Sequence, residues 1–183
     1  MKQLFVIAAI FLSLIVGNAQ SQTYRVIDLS TLGGAITVPL AVNSSGEVAG
    51  VSCLNGGEQH AFLYSSSVMQ DLGTLGGSQS EANGINGAGQ VVGYSLTTGD
   101  NNVHAFLFSN GSMNDLGTLG GSYSCANAIN SVGQVVGMSS LSNGLYRAFL
   151  YSNGSMQDLG TLGGNNSEAR AINNSVPSLA LPW

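Results

Sequence analysis

The side chains of this sequence that could act as acids, bases or metal ligands recur at equal intervals. His60 and His104 lie 44 residues apart. A spacing of 43 or 44 residues also separates four aspartates, which are Asp28, Asp71, Asp115 and Asp158. Catalysis needs unlike groups that converge on one site, whereas these are like groups in equivalent positions. The pattern therefore predicts structural roles, with no enzyme activity.

Other patterns of catalytic or metal-binding residues are weak. Glu81 and Glu168 occupy equivalent positions, so a paired-carboxylate hydrolase would need a coincidence of geometry. Cys53 and Cys125 occupy different positions, which leaves open a disulfide or two idle thiols. Two cysteines and two scattered histidines lack the spacing of a zinc site. A ring of the repeated aspartates around a cation is a further alternative, but Asp-Leu-Gly-Thr spaces its oxygens too widely for calcium. We expect no metal and no cofactor.

The aspartates open a seven-residue motif, DLGTLGG, that occurs three times and once more as DLSTLGG at Asp28–Gly34. We expect each aspartate to accept hydrogen bonds from backbone N–H groups of a turn. We expect each glycine pair to let the chain turn from one repeat to the next, where a side chain would clash or φ must be positive. The motif residues in question are Asp71, Gly76 and Gly77; Asp115, Gly120 and Gly121; and Asp158, Gly163 and Gly164.

Other blocks keep the same period, and each repeat indicates four short strands. In the second repeat the expected strands are Glu81–Ile85, Gln90–Ser95, His104–Ser109 and Ser112–Gly117. Asn-Gly at Asn110 and at Asn153 predicts two-residue hairpin turns, which Ser65–Ser66 replaces in the first repeat. Four strands in 43–44 residues are typical of a β-propeller blade. We therefore predict an all-β fold of repeated four-stranded antiparallel units, β-propeller-like, with three full blades and partial terminal units.

The repeats divide the chain into a leader, three full units and two partial ones. The leader has Lys2, an apolar run at Leu4–Gly17 and small residues at Gly17–Ala19, which predicts a removed secretory signal, with an uncleaved anchor as the alternative. The expected segments are a signal peptide at 1–19, a last-strand piece at 20–34, repeats at 35–77, 78–121 and 122–164, and a partial repeat with a divergent tail at 165–183.

Composition and charge exclude several classes of partner. Hydrophobic residues make up 44% of the chain and charged residues only 7%. Without the leader, three arginines face nine carboxylates, a formal charge of −6. Nucleic acids and anionic membrane surfaces attract Lys and Arg, so we expect no nucleic-acid partner and no membrane contact after signal cleavage. The predicted location is outside the cell or at its surface.

The combined blocks resemble the HAF-repeat family of bacterial extracellular proteins. The resemblance rests on His-Ala-Phe at His60–Phe62 and His104–Phe106, followed by DLGTLGG, AIN and GQVVG, and it spans roughly Tyr24–Asn173. It implies an exported, propeller-like protein and provides no catalytic residues. Arg147 departs from the pattern because it stands where the other repeats have histidine.

Binding through variable loops is the function that these features favour. The loops are Leu54–Gln59, Leu96–Asn102 and Leu141–Tyr146. Because loops on a rigid scaffold commonly carry function, we predict a binding or interaction module for glycans or surface proteins. The candidate contact residues are Tyr146, Asn102 and Asp100. The alternatives are a structural surface protein, a truncated repeat fragment without ligand and, with less support, a secreted hydrolase.

The repeat pattern stops after Asn173, where NSVPSLALPW replaces the expected turn and second strand. The chain is therefore expected to form an open arc, a truncated product, or one half of a homodimer whose two arcs complete a ring. An open arc would leave strand edges exposed.

Overall fold

A computed structural model describes residues 26–175. The predicted signal peptide and the end of the divergent tail lie outside the described residues. The described chain forms twelve strands and one short 3₁₀ turn, Thr98–Asp100. The strands are β1 (Gly33–Val42), β2 (Val48–Leu54), β3 (Gln59–Ser65), β4 (Val68–Asp71), β5 (Gly76–Ile85), β6 (Val91–Thr97), β7 (Val103–Ser109), β8 (Ser112–Asp115), β9 (Gly120–Ile129), β10 (Val135–Leu141), β11 (Tyr146–Ser152) and β12 (Ser155–Asp158).

The strands are grouped into three antiparallel units: unit 1 (β1–β4), unit 2 (β5–β8) and unit 3 (β9–β12). Within each unit the first strand pairs with the second, the second with the third and the third with the fourth. Neighbouring units touch through short parallel bridges, Gln59 with Gln79 and Val103 with Tyr123. The prediction of an all-β chain of repeated four-stranded units is confirmed. The sheet runs from β1 to β12 without closing on itself.

The boundaries of the strands differ from the sequence prediction at both ends of the repeated motif. The first strand of unit 2 begins at Gly76, five residues before the expected Glu81, and the fourth strand ends at Asp115 instead of Gly117. The glycine pair therefore starts each new unit instead of closing the previous one. The reason is tertiary: the extra residues extend past the third strand of the preceding unit, and Gln79 pairs with Gln59 there.

The hairpin turns of units 2 and 3 have the predicted backbone. Asn110 and Gly111 have φ of 53° and 77°, and Asn153 and Gly154 have 53° and 78°. Both central residues are thus left-handed, as a type I′ turn requires. In unit 1 the turn lies at Ser66 and Ser67, with φ of 52° and 66°, one residue later than predicted. The cause is that β3 continues through Ser65, which pairs with Val68.

Apolar cores lie between adjacent units, so the central strands are covered on both sides. Each unit has a first face, directed toward the preceding unit, and a second face, directed toward the next. In the core between units 1 and 2, the second face of unit 1 contributes Ala49, Ala61, Leu63 and Leu72. The first face of unit 2 contributes Ala82, Val91, Phe106 and Phe108. Equivalent residues form the core between units 2 and 3. Burial of apolar area between repeated layers is the main favourable term in such an array.

A buried serine in the first strands of units 2 and 3 links each strand to the preceding unit. The Ser80 hydroxyl accepts a hydrogen bond from the Ala61 amide at 2.9 Å and donates to the Gly73 carbonyl at 2.5 Å. Ser124 makes the same pair of bonds to Ala105 and Gly117, and Ser167 makes them to Ala148 and Gly160. Each serine thus satisfies a donor and an acceptor that the strand ladders leave unpaired.

A ladder of asparagines forms a second link between units. The side-chain amide of Asn43 donates to the Asn86 carbonyl at 2.9 Å, Asn86 to Asn130 at 3.0 Å, and Asn130 to Asn173 at 3.2 Å. These residues end the AIN blocks of the sequence. The segment 165–173 is held by this bond and by Ser167, so it lies on unit 3 in the position of the first strand of a further unit.

The two glycines of each pair are required for different reasons. The first has a left-handed backbone, with φ of 96° at Gly76 and 103° at Gly120. The second has no room for a side chain: a Cβ at Gly121 would lie 2.2 Å from the Ser140 hydroxyl. At Gly164, where no complete unit follows, a Cβ would meet no neighbour nearer than the Asn166 carbonyl at 3.9 Å.

The variant Gly121→Val should therefore be strongly destabilised, because the new side chain overlaps Ser140. We expect a loss of at least about 1–3 kcal/mol in the free energy of unfolding, measured by urea denaturation. Gly164→Val is the matched control, with the same motif position but open space around it, and should change stability much less. Equal losses in the two variants would contradict this account.

Removal of one serine link should also be measurable. In Ser124→Ala the buried Ala105 amide loses its acceptor, and an unsatisfied buried donor costs about 1–3 kcal/mol. Ser122→Ala, two residues away and exposed, serves as the control and should be close to neutral. A Ser124→Ala protein as stable as wild type would show that water or a shifted backbone replaces the hydroxyl.

Candidate functional site

The repeated histidines and aspartates meet in pairs within each unit. Nδ1 of His60 lies 2.9 Å from Oδ1 of Asp71, and Nδ1 of His104 lies 2.8 Å from Oδ2 of Asp115. In both pairs the histidine is the second residue of the third strand and the aspartate ends the fourth. The antiparallel register brings them together, since Phe62 pairs with Asp71 and Phe106 with Asp115.

Arg147, which replaces the histidine in unit 3, preserves this pairing. Its Nε lies 3.9 Å from Oδ2 of Asp158, so a basic side chain faces the aspartate in all three units. Each aspartate also accepts a bond from the amide two residues later: Gly73 at 2.8 Å, and Gly117 and Gly160 at 2.7 Å each. The pairs thus hold the start of the DLGTLGG turn.

Of the three predicted loop contacts, Asp100 holds its own loop through its side chain, and Asn102 does so through its backbone only. Both carboxylate oxygens of Asp100 accept bonds from Ser78, one from its amide and one from its hydroxyl, each at 2.8 Å. The carbonyl of Asn102 accepts a bond from the Thr97 amide at 3.0 Å. This loop is thereby fastened to the glycine pair of its own unit.

The third predicted contact, Tyr146, forms an aromatic pair. Its ring lies edge-to-face on Tyr123, with 5.8 Å between centroids and 77° between the ring planes. Tyr146 remains 37% exposed, whereas Tyr123 is half-buried. This geometry is a favourable one for two aromatic rings, and it leaves part of the Tyr146 ring open to a ligand.

Three further side chains extend this pair into what we call the tyrosine cluster, made of Glu81, Tyr94, Tyr123, Cys125 and Tyr146. The Tyr94 hydroxyl donates to Oε2 of Glu81 at 3.4 Å. Cys125 is buried beside Tyr123 and accepts a bond from the Asn83 amide at 3.4 Å. The cluster therefore spans the junction of units 2 and 3.

Two phenols and the thiol of the tyrosine cluster are held in their neutral forms. Burial, followed by the charge of Glu81, raises the pKa of Tyr94 to about 12. Burial also raises the pKa of the Cys125 thiol to about 11, and burial with the neighbouring thiol raises the pKa of Tyr123. Phenol and thiol groups in this state donate hydrogen bonds.

The cluster consists of residues in which the repeats differ from one another. Tyr123 stands where units 1 and 2 have Ile36 and Gln79, and Tyr146 stands where they have Gln59 and Val103. The sequence contains this signal, because aligned repeats show which positions vary. It does not show that the varied positions of units 2 and 3 lie together, since that depends on how adjacent units stack.

The surroundings of the cluster are polar on one side and apolar on the other. Toward the end of the described chain, Asn127 donates to Glu168 at 3.0 Å, and Glu168 pairs with Arg170 at 3.0 Å. Unit 1 instead carries Ile36, Val38 and Leu40 at the positions of Gln79, Glu81 and Asn83. Two open cavities, of about 410 and 530 Å³, lie at unit 1, away from the cluster.

Several other kinds of site are missing from residues 26–175. Both cysteines are free thiols, Cys125 buried and Cys53 half-buried. Within that range no three His, Cys, Asp or Glu side chains are grouped so as to hold a metal ion. The same range contains no helix that is long and apolar enough to cross a membrane.

Comparison with known proteins identifies a similar fold and no family. No family model and no curated protein matches the chain. The crystal structure of TolB from Acinetobacter baumannii is similar, with a TM-score of 0.50 at 18% identity, over 70% of this chain and 33% of that one. The chain thus spans about a third of the length of TolB. At this identity the likeness concerns the fold alone.

The raised pKa of Cys125 predicts a loss of stability at alkaline pH. Between the ordinary thiol pKa of 9.0 and about 11, the unfolded chain releases a proton that the folded chain retains. The free energy of unfolding should therefore fall as pH rises through this range, by roughly 1–3 kcal/mol. Urea denaturation at pH 8 to 11 measures this fall.

The pKa of Tyr94 is also raised, so this residue contributes to the same fall in the free energy of unfolding. Cysteine variants are therefore compared to isolate the contribution of Cys125. Cys125→Ala should show a shallower fall than wild type, and Cys53→Ala, which retains Cys125, should keep the steeper one. Identical pH profiles for wild type and Cys125→Ala would overturn the assignment.

Proposed function

We propose that the chain is an exported, β-propeller-like interaction module that binds a ligand at the tyrosine cluster. One observation carries the proposal: residues that are equivalent between repeats make most of the contacts between units, and several residues that differ lie together in the tyrosine cluster. A repeated scaffold needs only its common residues to fold. Side chains that differ between units and lie together on a surface are therefore candidates for recognition.

The propeller assignment is supported by the four-stranded units and by the likeness to TolB, a β-propeller protein. Export is supported by the leader at residues 1–19, through its apolar run and small residues. We place the protein outside the cytoplasm on these grounds.

The chemistry of the cluster favours a neutral, hydroxyl-rich ligand such as a glycan. Tyr146 offers part of an aromatic ring to an apolar sugar face, Tyr94 and Tyr123 are neutral, and Glu81 is an acceptor for hydroxyl groups. The nine carboxylates of the chain disfavour anionic ligands. Neutral glycans should therefore bind in preference to sulfated or uronic ones.

Removal of the exposed ring should weaken binding of such a glycan. Tyr146→Ala should lower affinity about tenfold or more, equivalent to about 1.4 kcal/mol, because the stacking surface is lost. Tyr146→Phe keeps the ring and should bind within a few-fold of wild type. A glycan array followed by calorimetry on the exported chain measures both.

Two results would overturn the proposal. The first is unaltered binding by Tyr146→Ala, which would place the ligand elsewhere. The second is a wild-type chain that binds no neutral glycan. A surface protein cross-linked through Tyr146 would instead identify the other partner class that the sequence suggests.

A further inference from the structure

Arg147 makes contacts that the histidines of the other units do not make. His60 and His104 are each bonded to an aspartate through Nδ1. Arg147 faces Asp158 in the same way, and its Nη1 also donates to two backbone carbonyls, those of Tyr146, at 3.1 Å, and Asn165. The planar guanidinium has its donors arranged in a fork, so it can bond in both directions at once.

The surroundings of Arg147 make these carbonyls important to it. Only 17% of the side chain is exposed, so its charge is largely removed from water. A charged group in such surroundings is stable only when acceptors replace the lost water. Oδ2 of Asp158 is 3.9 Å from Nε, which is longer than a hydrogen bond. The carbonyls of Tyr146 and Asn165 are therefore the acceptors that the guanidinium reaches directly.

The main chain of Tyr146 is also held by the two residues that follow Asn165. Its amide donates to Oδ1 of Asn166 at 2.9 Å, and its carbonyl accepts a second bond from the Ser167 amide at 3.1 Å. Both polar groups of the Tyr146 backbone are thus fixed to the segment 165–167. Tyr146 is the first residue of β11, and the end of a strand opens readily without such bonds.

The side chains of Arg147 and Asn166 are not required for one unit to stack on another. Units 1 and 2, and units 2 and 3, stack with histidine in place of Arg147 and with glutamine or tyrosine in place of Asn166. Within residues 26–175, tyrosine, arginine and asparagine occur together at these three positions only where segment 165–173 lies on unit 3. This combination points to a role that is specific to Tyr146.

The restraint on the Tyr146 backbone bears on the position of its ring. The ring lies edge-to-face on Tyr123 and is 37% exposed. Tyr123 restrains the ring itself, and the fixed backbone restrains the Cα atom from which the ring extends. A side chain that already has its binding conformation loses less conformational entropy when a ligand arrives, so it contributes more to affinity.

We propose that Arg147 is a positioning residue that, together with Asn166, holds Tyr146 in place for its ligand. The guanidinium joins the carbonyls of Tyr146 and Asn165, and Asn166, the next residue, then meets the Tyr146 amide. The consequence for glycan affinity rests on the proposed function of the tyrosine cluster. The consequence for the position of Tyr146 does not depend on that function.

The variant Arg147→His removes the bonds to the two carbonyls and leaves Asp158 with a basic partner, as in units 1 and 2. Asp158→Asn is the matched control. It neutralises the charge opposite Arg147, and its side-chain oxygen can still accept the bond from the Gly160 amide. Asn166→Ala removes the second support of Tyr146 and replaces Arg147→His if circular dichroism shows that Arg147→His is unfolded.

Two measurements on the exported chain follow Tyr146 and its ligand separately. Nuclear magnetic resonance with isotope-labelled tyrosine reports the exchange rate of the Tyr146 amide and the contact between the Tyr123 and Tyr146 rings. Calorimetry reports the affinity for the neutral oligosaccharide that gives the strongest wild-type signal on a glycan array.

In Arg147→His the Tyr146 amide should exchange at least about tenfold faster than in wild type, because the segment that holds it is loosened. The contact between the two tyrosine rings should weaken. Affinity for the oligosaccharide should fall about five- to tenfold, because the ring must be ordered when the ligand binds. Asp158→Asn should match wild type in all three respects.

Unchanged exchange and an unchanged ring contact in Arg147→His would overturn the proposal. Equal changes in Asp158→Asn would also overturn it, because the effect would then belong to the ion pair. A loosened Tyr146 with unaltered affinity would show that Arg147 has a structural role only. A wild-type chain that binds no oligosaccharide would instead overturn the proposed function, and the exchange rate and ring contact would still decide whether Arg147 positions Tyr146.

Discussion

In units 2 and 3 a single buried hydroxyl fixes the position of the first strand on the preceding unit. Ser80 and Ser124 each satisfy an amide of the preceding unit and a carbonyl of the connecting turn. A third serine, Ser167, does the same for the last segment. Because a buried backbone amide without an acceptor is costly, the third strand of each unit is fully paired only when the next first strand is present. The apolar cores, the asparagine ladder and the glycine pair all require that same placement.

Residues common to the repeats and residues that vary between them therefore have separate roles. The common serines, asparagines, glycines and aspartates are occupied in contacts within and between units. The pairing of His60 with Asp71 belongs to this group, and Arg147 shows that the basic partner can change without losing the contact. Some of the varied residues, such as Asp100, also hold the backbone. Others lie together in the tyrosine cluster, a combination of side chains that the other units do not repeat.

Features that depend on interactions between neighbouring residues were predictable from the sequence, whereas features that depend on contacts between distant segments were not. Hairpin turns at Asn110 and Asn153 were predictable because Asn-Gly acts locally through its left-handed backbone. The start of the first strand at Gly76 was not, because its extra residues are held by a neighbouring unit. The pairing of His104 with Asp115 was also missed, since it depends on the register of two strands. Asp100 and Asn102 have structural contacts that loop composition does not indicate.

The sequence by itself determined the period, the number of strands in each unit and the all-β class, because these are expressed in local turn chemistry and in repetition. The tertiary structure alone decided which residues from distant parts of the chain meet. Tyr123 and Tyr146 share a surface only because Tyr146 begins the third strand of unit 3 and Tyr123 lies near the start of its first strand. Contacts between distant segments are set by packing, and local patterns along the chain do not reveal them.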